Sequence, residues 1–169
     1  MCLQLHSTHV DTTQFENVKD SYYRLLKENP FFTTSEKDKL GKFIADVPDC
    51  DTAIHGDLQF SNAIFAGDQR YFIDLGDFCY GYPLFDVGML YLCCIIDGEQ
   101  YLQEYCHMNK PTAVHFWECF AQTYFGQGRS LKDIDEEIMP FAGLKTLVIE
   151  RDTGHPMPLL RAALEGILR

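Results

Sequence analysis

Long apolar runs, paired cysteines and positive charge are what this 169-residue chain has least of. No stretch approaches the roughly 20 apolar residues that a membrane span needs, so no bilayer contact is predicted. The seven cysteines form no C-x-x-C pair, their number is odd, and Cys93 and Cys94 adjoin inside an apolar run. That is unlike the even, spaced framework of a secreted disulfide scaffold, and a reducing, cytoplasmic setting is expected. The nearest metal-like grouping, Cys106 and His107 with His115 and Cys119, lacks the tight ligand pairs of a structural zinc site and reads as packing. The opening "MCLQLHSTHV" has neither the basic start nor the apolar stretch of a signal peptide. Fourteen Lys and Arg against 25 Asp and Glu leave a formal charge of -11, which repels phosphate backbones and argues against a nucleic-acid partner. Two readings of the acidity stay open: attraction of cationic or metal-bridged ligands, and solubility alone.

What is present is a globular composition, 46% hydrophobic and 23% charged, in a length suited to one domain over 1–169. Val18, Tyr22, Leu25 and Leu26 recur at helical spacing and predict a helix from Asn17 to Asn29, stopped by Pro30. "SEKD" at Ser35 to Asp38 has a capping-box pattern, with Leu40, Phe43 and Ile44 as the apolar face of a second helix ending near Pro48. A short strand "TAI" then leads into a polar turn, and "NAIF" and "RYFID", separated by residues 66–69, predict a β-hairpin. "LGDFCYGYP" reads as irregular, and Leu84 to Ile96 as a buried helix at the centre of the core. Helices are expected near Gln100 to Met108, Thr112 to Phe125, Ser130 to Met139, Phe141 to Arg151 and Pro158 to Leu168, with Pro140 as one of the breaks. The fold class is α+β, predominantly helical.

The polar turn carries the chemistry. "HGDLQFSN" places Asp57 and Asn62 five residues apart, and the hairpin can bring Asp74 of "FIDLGD" to them. Two carboxylates and an amide suit a hard ion such as Mg²⁺ or Mn²⁺, with one carboxylate free to act on substrate. The pattern H-x-D-L-x-x-x-N, followed by D-x-G, matches the catalytic and metal loops of kinases. Five fixed residues recur by chance about once in three million starting positions, loosened about tenfold by the free gap before Asp74. With Gly56 after the His, "IDLGD" and "FDVGML", the chain resembles the aminoglycoside phosphotransferase and choline kinase-like family, and specifically its C-terminal lobe.

The resemblance implies a kinase-like lobe whose hairpin carries the catalytic and metal loops. It makes Asp57 the catalytic carboxylate that takes the proton of an acceptor hydroxyl, His55 a brace for that loop, and Asn62 and Asp74 the holders of Mg²⁺ on the phosphates of ATP. Asp86 has two readings, a helix cap or a brace of the catalytic loop, and Asp77 reads equally as a further site carboxylate or a turn residue. His6, His9, His107, His115 and His155 show no partner pattern. No G-x-G-x-x-G or strand-borne Lys is found, so two functions are carried forward: a small-molecule phosphotransferase active when a nucleotide-gripping N-terminal lobe is supplied, and a noncatalytic remnant that binds a ligand or partner. Glu99, Glu104, Glu118, Asp133, Asp135, Glu136, Glu137, Glu150 and Asp152 either attract a cationic acceptor, such as an aminoglycoside or amino alcohol, or form a solvated acidic face. An apolar surface around Ile54, Phe65 and Phe72, uncovered without the first lobe, would favour a homo-oligomer.

Overall fold

The computed structural model describes residues 1–96 and 98–169. After a short helix α1 (Cys2–Leu5), Asn17 caps α2 (Val18–Glu28) by accepting the Lys19 N–H at 2.9 Å. The helix turns Val18, Tyr22, Leu25 and Leu26 inward and ends before Pro30, because the residue preceding a proline avoids the helical region. The capping box of α3 (Thr34–Asp46) lies two residues ahead of the expected one. Glu36 reaches back to the Thr33 N–H at 2.7 Å and its own N–H is accepted by Thr33 Oγ1; Asp38, one methylene shorter, is a poorer partner for that return bond.

Strands β1 (Ala53–Ile54), β2 (Ala63–Ala66), β3 (Gln69–Phe72) and β4 (Cys79–Tyr80) make two antiparallel pairs, β1 with β4 and β2 with β3. The hairpin β2–β3 is the expected one. Strand β4 falls in the segment expected to be irregular, since two residues are too few for alternation to show. Pairing with β4 buries Ile54 completely, which corrects its expected place on an open apolar surface. Phe65 does lie open, at 68% exposure, while Phe72 is half-buried edge-on against the His55 ring.

The rest is helical: α4 (Leu84–Tyr91), running on through a π-helical turn at Leu92–Ile96, then α5 (Glu99–Cys106), α6 (Lys110–Tyr124), α7 (Leu131–Thr153), α8 (Pro158–Ala162) and α9 (Glu165–Leu168). Phe85, Val87, Cys93 and Cys94 are fully enclosed at the centre of the core. Helix α7 continues through Pro140, where two helices were expected to meet. A proline inside a helix costs about 3 kcal/mol, but each buried Leu or Phe contributes about 1.5–3 kcal/mol. Phe141, Leu144 and Leu147 are buried just beyond it on the helix that packs on α4. The apolar face therefore outweighs one missing hydrogen bond. The two helices meet at Gly88, where a Cβ would stand 2.6 Å from the Phe141 carbonyl carbon. Among the described residues no helix is long and apolar enough to cross a membrane.

Candidate active site

Strand β1 leads into the buried His55 and then into Gly56 and Asp57, which line a cavity of 440 Å³ between α2, α7 and the Gly76–Cys79 segment. The peptide groups ahead of Asp57 are held from several sides. The buried carboxylate of Asp86 accepts the His55 N–H at 2.7 Å and the Gly56 N–H at 2.9 Å, and Lys145 Nζ, from α7, donates to the Gly56 carbonyl at 2.9 Å. Gly56 has φ of +88°, and a Cβ there would lie 2.1 Å from the Asp77 carbonyl oxygen, so a side chain is excluded on both conformational and steric grounds. Of the two readings of Asp86, bracing of the loop is the one its hydrogen bonds describe: it makes no side-chain cap to α4.

His55 ties the two loops together. Its Nδ1 faces the Asp57 N–H at 3.3 Å and its Nε2 faces the Ile73 carbonyl at 3.0 Å. A backbone N–H can only donate and a carbonyl only accept, so Nδ1 carries the lone pair and Nε2 the proton. Asp57 Oδ2 accepts from Gln59 Nε2 at 2.7 Å and from Asn62 Nδ2 at 3.0 Å, leaving Oδ1 unengaged among the described residues. Asn62 Nδ2 also donates to the Asp57 carbonyl at 2.9 Å, so the amide turns its nitrogen to Asp57, while its Oδ1 accepts from the Ser61 hydroxyl at a long 3.4 Å. The Ile73 N–H donates to the Asn62 carbonyl, which extends the hairpin ladder by one residue beyond β2 and β3. Asp74 follows in the left-handed region, φ 57° and ψ 61°, a conformation uncommon for a residue with a Cβ and tolerated by Asp. Its exposed carboxylate makes no hydrogen bond among the described residues. The structure thus joins Asp57 directly to Asn62, and joins His55 to the residue before Asp74.

Four carboxylates and three cations line the cavity: Glu16, Asp57, Asp77 and Asp152, with Arg24, Lys145 and Arg151. Arg24 pairs with Glu16 at 2.6 Å and Arg151 with Asp152 at 2.7 Å. Of the nine acidic residues considered for a cationic acceptor, only Asp152 lines this cavity. Glu150 is instead bonded to Arg161 and Asn29, Asp135 to Trp117, and Glu137 to Arg129. Burial pushes the Cys79 thiol, also in the lining, up to about 12, so it stays protonated and a poor nucleophile at neutral pH.

Sequence reasoning missed two groups here. His6, read as partnerless, faces Asp86 Oδ2 through Nε2 at 3.1 Å and Tyr124 Oη through Nδ1 at 2.7 Å. Lys145 had a visible signal, a single charge inside the otherwise apolar and small run "PFAGLKTLVI" on α7. Burial alone would lower its protonation, but Tyr22 and Asp86 more than offset this and hold it above the ordinary lysine value.

No curated protein matches the chain. Residues 8–118, more than half of it and including every residue from His9 through the hairpin to α6, match the family model described as "APH: Phosphotransferase enzyme family". The HGD loop, the amide five residues on and the DLG turn all lie within that match, and the chain belongs to this phosphotransferase family, as its resemblance to aminoglycoside phosphotransferases and choline kinases implies.

Proposed function

We propose that the chain serves transfer of the γ-phosphoryl group of ATP to a hydroxyl of a small molecule, with Asp57 as the catalytic carboxylate. The observation that carries this reading is the division of labour at Asp57: Oδ2 is fixed by two amides while Oδ1, in the lining of the cavity, has no partner among the described residues. A carboxylate so held is oriented before substrate arrives, and orientation is most of what phosphoryl transfer asks of a protein. The acceptor hydroxyl donates to Asp57 Oδ1 and gives up its proton there as its oxygen bonds to phosphorus, and the bond from phosphorus to the bridging oxygen of ADP breaks.

Asn62 and Asp74 suit a hard divalent cation: one offers an amide oxygen while its nitrogen is engaged by Asp57, the other an exposed carboxylate without a hydrogen bond among the described residues, and neither brings an imidazole or a thiolate. Magnesium bound there would neutralise charge on the phosphates. Ile64 and Tyr71 face each other across the hairpin and Ile73 continues the same side. All three are exposed apolar surface beside Asn62, suited to one side of a nucleotide base. The opposite side would be covered by an N-terminal lobe of the family type, and full activity is expected with that lobe supplied.

The test is magnesium-dependent transfer from γ-labelled ATP to a panel of hydroxyl compounds, with Asn62→Ala and Asp74→Asn as controls. Transfer that falls at least about a hundredfold in both variants supports the reading. Transfer indifferent to both removes the metal assignment, and labelled ATP that passes its phosphoryl group to no hydroxyl, with the lobe supplied, favours the noncatalytic binding module.

A further inference from the structure

The cavity beside Asp57 contains two donors for which the fold supplies too few acceptors. Lys145 is only 5% exposed, yet among the described residues its ammonium has the Gly56 carbonyl as its one well-formed hydrogen-bond acceptor, with the Tyr22 phenol as its other polar neighbour. An ammonium has three hydrogens to place. No carboxylate stands within ion-pair distance of Nζ among the described residues, and Asp86 is already taken by the His55 and Gly56 N–H groups and by His6. Tyr22, 3% exposed, lines the same cavity, and its ring centre is 5.8 Å from Lys145 Nζ. Among the described residues its Oη is buried with no acceptor for its own hydrogen, and Lys145 is the charged group beside it. A buried ammonium and a buried hydroxyl left short of acceptors are costly in a protein that only folds. Both costs are relieved by one ligand group, an oxyanion.

Resting on the phosphotransferase reading of this cavity, we propose that Lys145 and Tyr22 form an oxyanion subsite on the acceptor side of Asp57, filled by the carboxylate of a hydroxy-acid acceptor. The two arginines of the cavity do not compete for it, since Glu16 and Asp152 already pair with them. The reacting hydroxyl reaches Asp57 Oδ1 while the carboxylate accepts from Lys145 Nζ and Tyr22 Oη. An ammonium-bearing acceptor placed in the same way would meet Lys145 as a like charge. Burial pushes the Tyr22 phenol up, which keeps it a donor.

Two oxyanions share this chemistry, the acceptor carboxylate and the γ-phosphate of the nucleotide, and binding without turnover separates them. The whole chain, labelled with carbon-13 at the lysine ε position, is titrated with glycerate or 4-hydroxybutyrate, with ethanolamine, and with a non-hydrolysable ATP analogue plus magnesium. The Lys145 signal is assigned by its loss in Lys145→Arg. A saturable shift of that signal with the hydroxy acids and none with ethanolamine is expected. Tyr22→Phe, which removes a hydroxyl whose hydrogen has no acceptor among the described residues of the free protein, should weaken hydroxy-acid binding about tenfold while melting at the same or a higher temperature. A purely structural Tyr22 would not separate those two readouts. No Lys145 shift with either hydroxy acid, or equal affinity in Tyr22→Phe, overturns the proposal. A shift produced by the ATP analogue alone overturns it in favour of the γ-phosphate. Failure of the phosphotransferase reading looks different: the Lys145 shift persists and no hydroxyl is phosphorylated.

Discussion

Asp86 Oδ1 accepts the Gly56 N–H at 2.9 Å, so a residue 30 positions downstream fixes the His55–Gly56 peptide, one peptide ahead of the link into Asp57. Its other oxygen holds the His55 N–H. An asparagine in its place keeps one acceptor oxygen and turns an amide N–H₂ toward the second backbone donor. Asp86→Asn should therefore cost about 1–3 kcal/mol of stability and lower turnover as the loop loosens. Urea denaturation checks the first effect, and an unshifted midpoint would contradict the bracing role.

Glu150 supplies the acid sensitivity. It is buried and bonded to Arg161, to the Met157 N–H and to Asn29. Burial pushes its carboxyl up, but those three partners together outweigh burial and hold it below the ordinary 4.5. A carboxyl lowered by folding contributes stability that is complete above its unfolded value and is lost as pH falls through the folded one. Stability should thus drop on acidification below about pH 4.5. Glu150→Gln should already be weaker at pH 7, by about 2–4 kcal/mol, with a flatter acid limb. Parallel acid limbs in the two proteins, followed by circular dichroism, would show that Glu150 is not the group responsible.

Pro140 offers a change in the other direction. Alanine there restores an N–H to the Glu136 carbonyl inside α7 and removes the ring that crowds it. Pro140→Ala is expected to raise stability by about 1–3 kcal/mol. A lower melting temperature in calorimetry would mean that the proline sets a bend the α4 contact requires.

Nucleotide affinity should be low for the chain alone. The hairpin side offered to a base leaves Ile64, Tyr71 and Ile73 at 43%, 50% and 40% exposure, so contact comes from one side. A dissociation constant well above the micromolar range is expected in calorimetry with ATP and magnesium. Micromolar binding would show that no covering lobe is needed.

The hairpin, the amphipathic helices and the HGD, Asn and DLG spacing were legible because each is local, written within a few residues of itself. What escaped depends on distant partners. Strand β4 exists through its pairing with β1, and α7 passes Pro140 through packing on α4. The parts of the site that escaped are of the same kind. His6 and Lys145 reach it from positions 80 residues before Asp86 and 89 after Gly56, and neither distance leaves a periodic trace. Asp86 stood undecided between cap and brace for the same reason, since either role suits a carboxylate at the start of a helix.

Turnover of Asp57→Asn against wild type, measured with a phosphorylated acceptor and with the family's N-terminal lobe supplied, bears most directly on the catalytic assignment. Asparagine keeps the shape and an acceptor oxygen for Gln59 or Asn62, but it cannot take the proton of the acceptor hydroxyl. A fall in kcat of at least about a hundredfold with nearly unchanged ATP affinity is the expected result. Wild-type turnover in Asp57→Asn would contradict the role given to Asp57 and with it the reading of the cavity as an acceptor site.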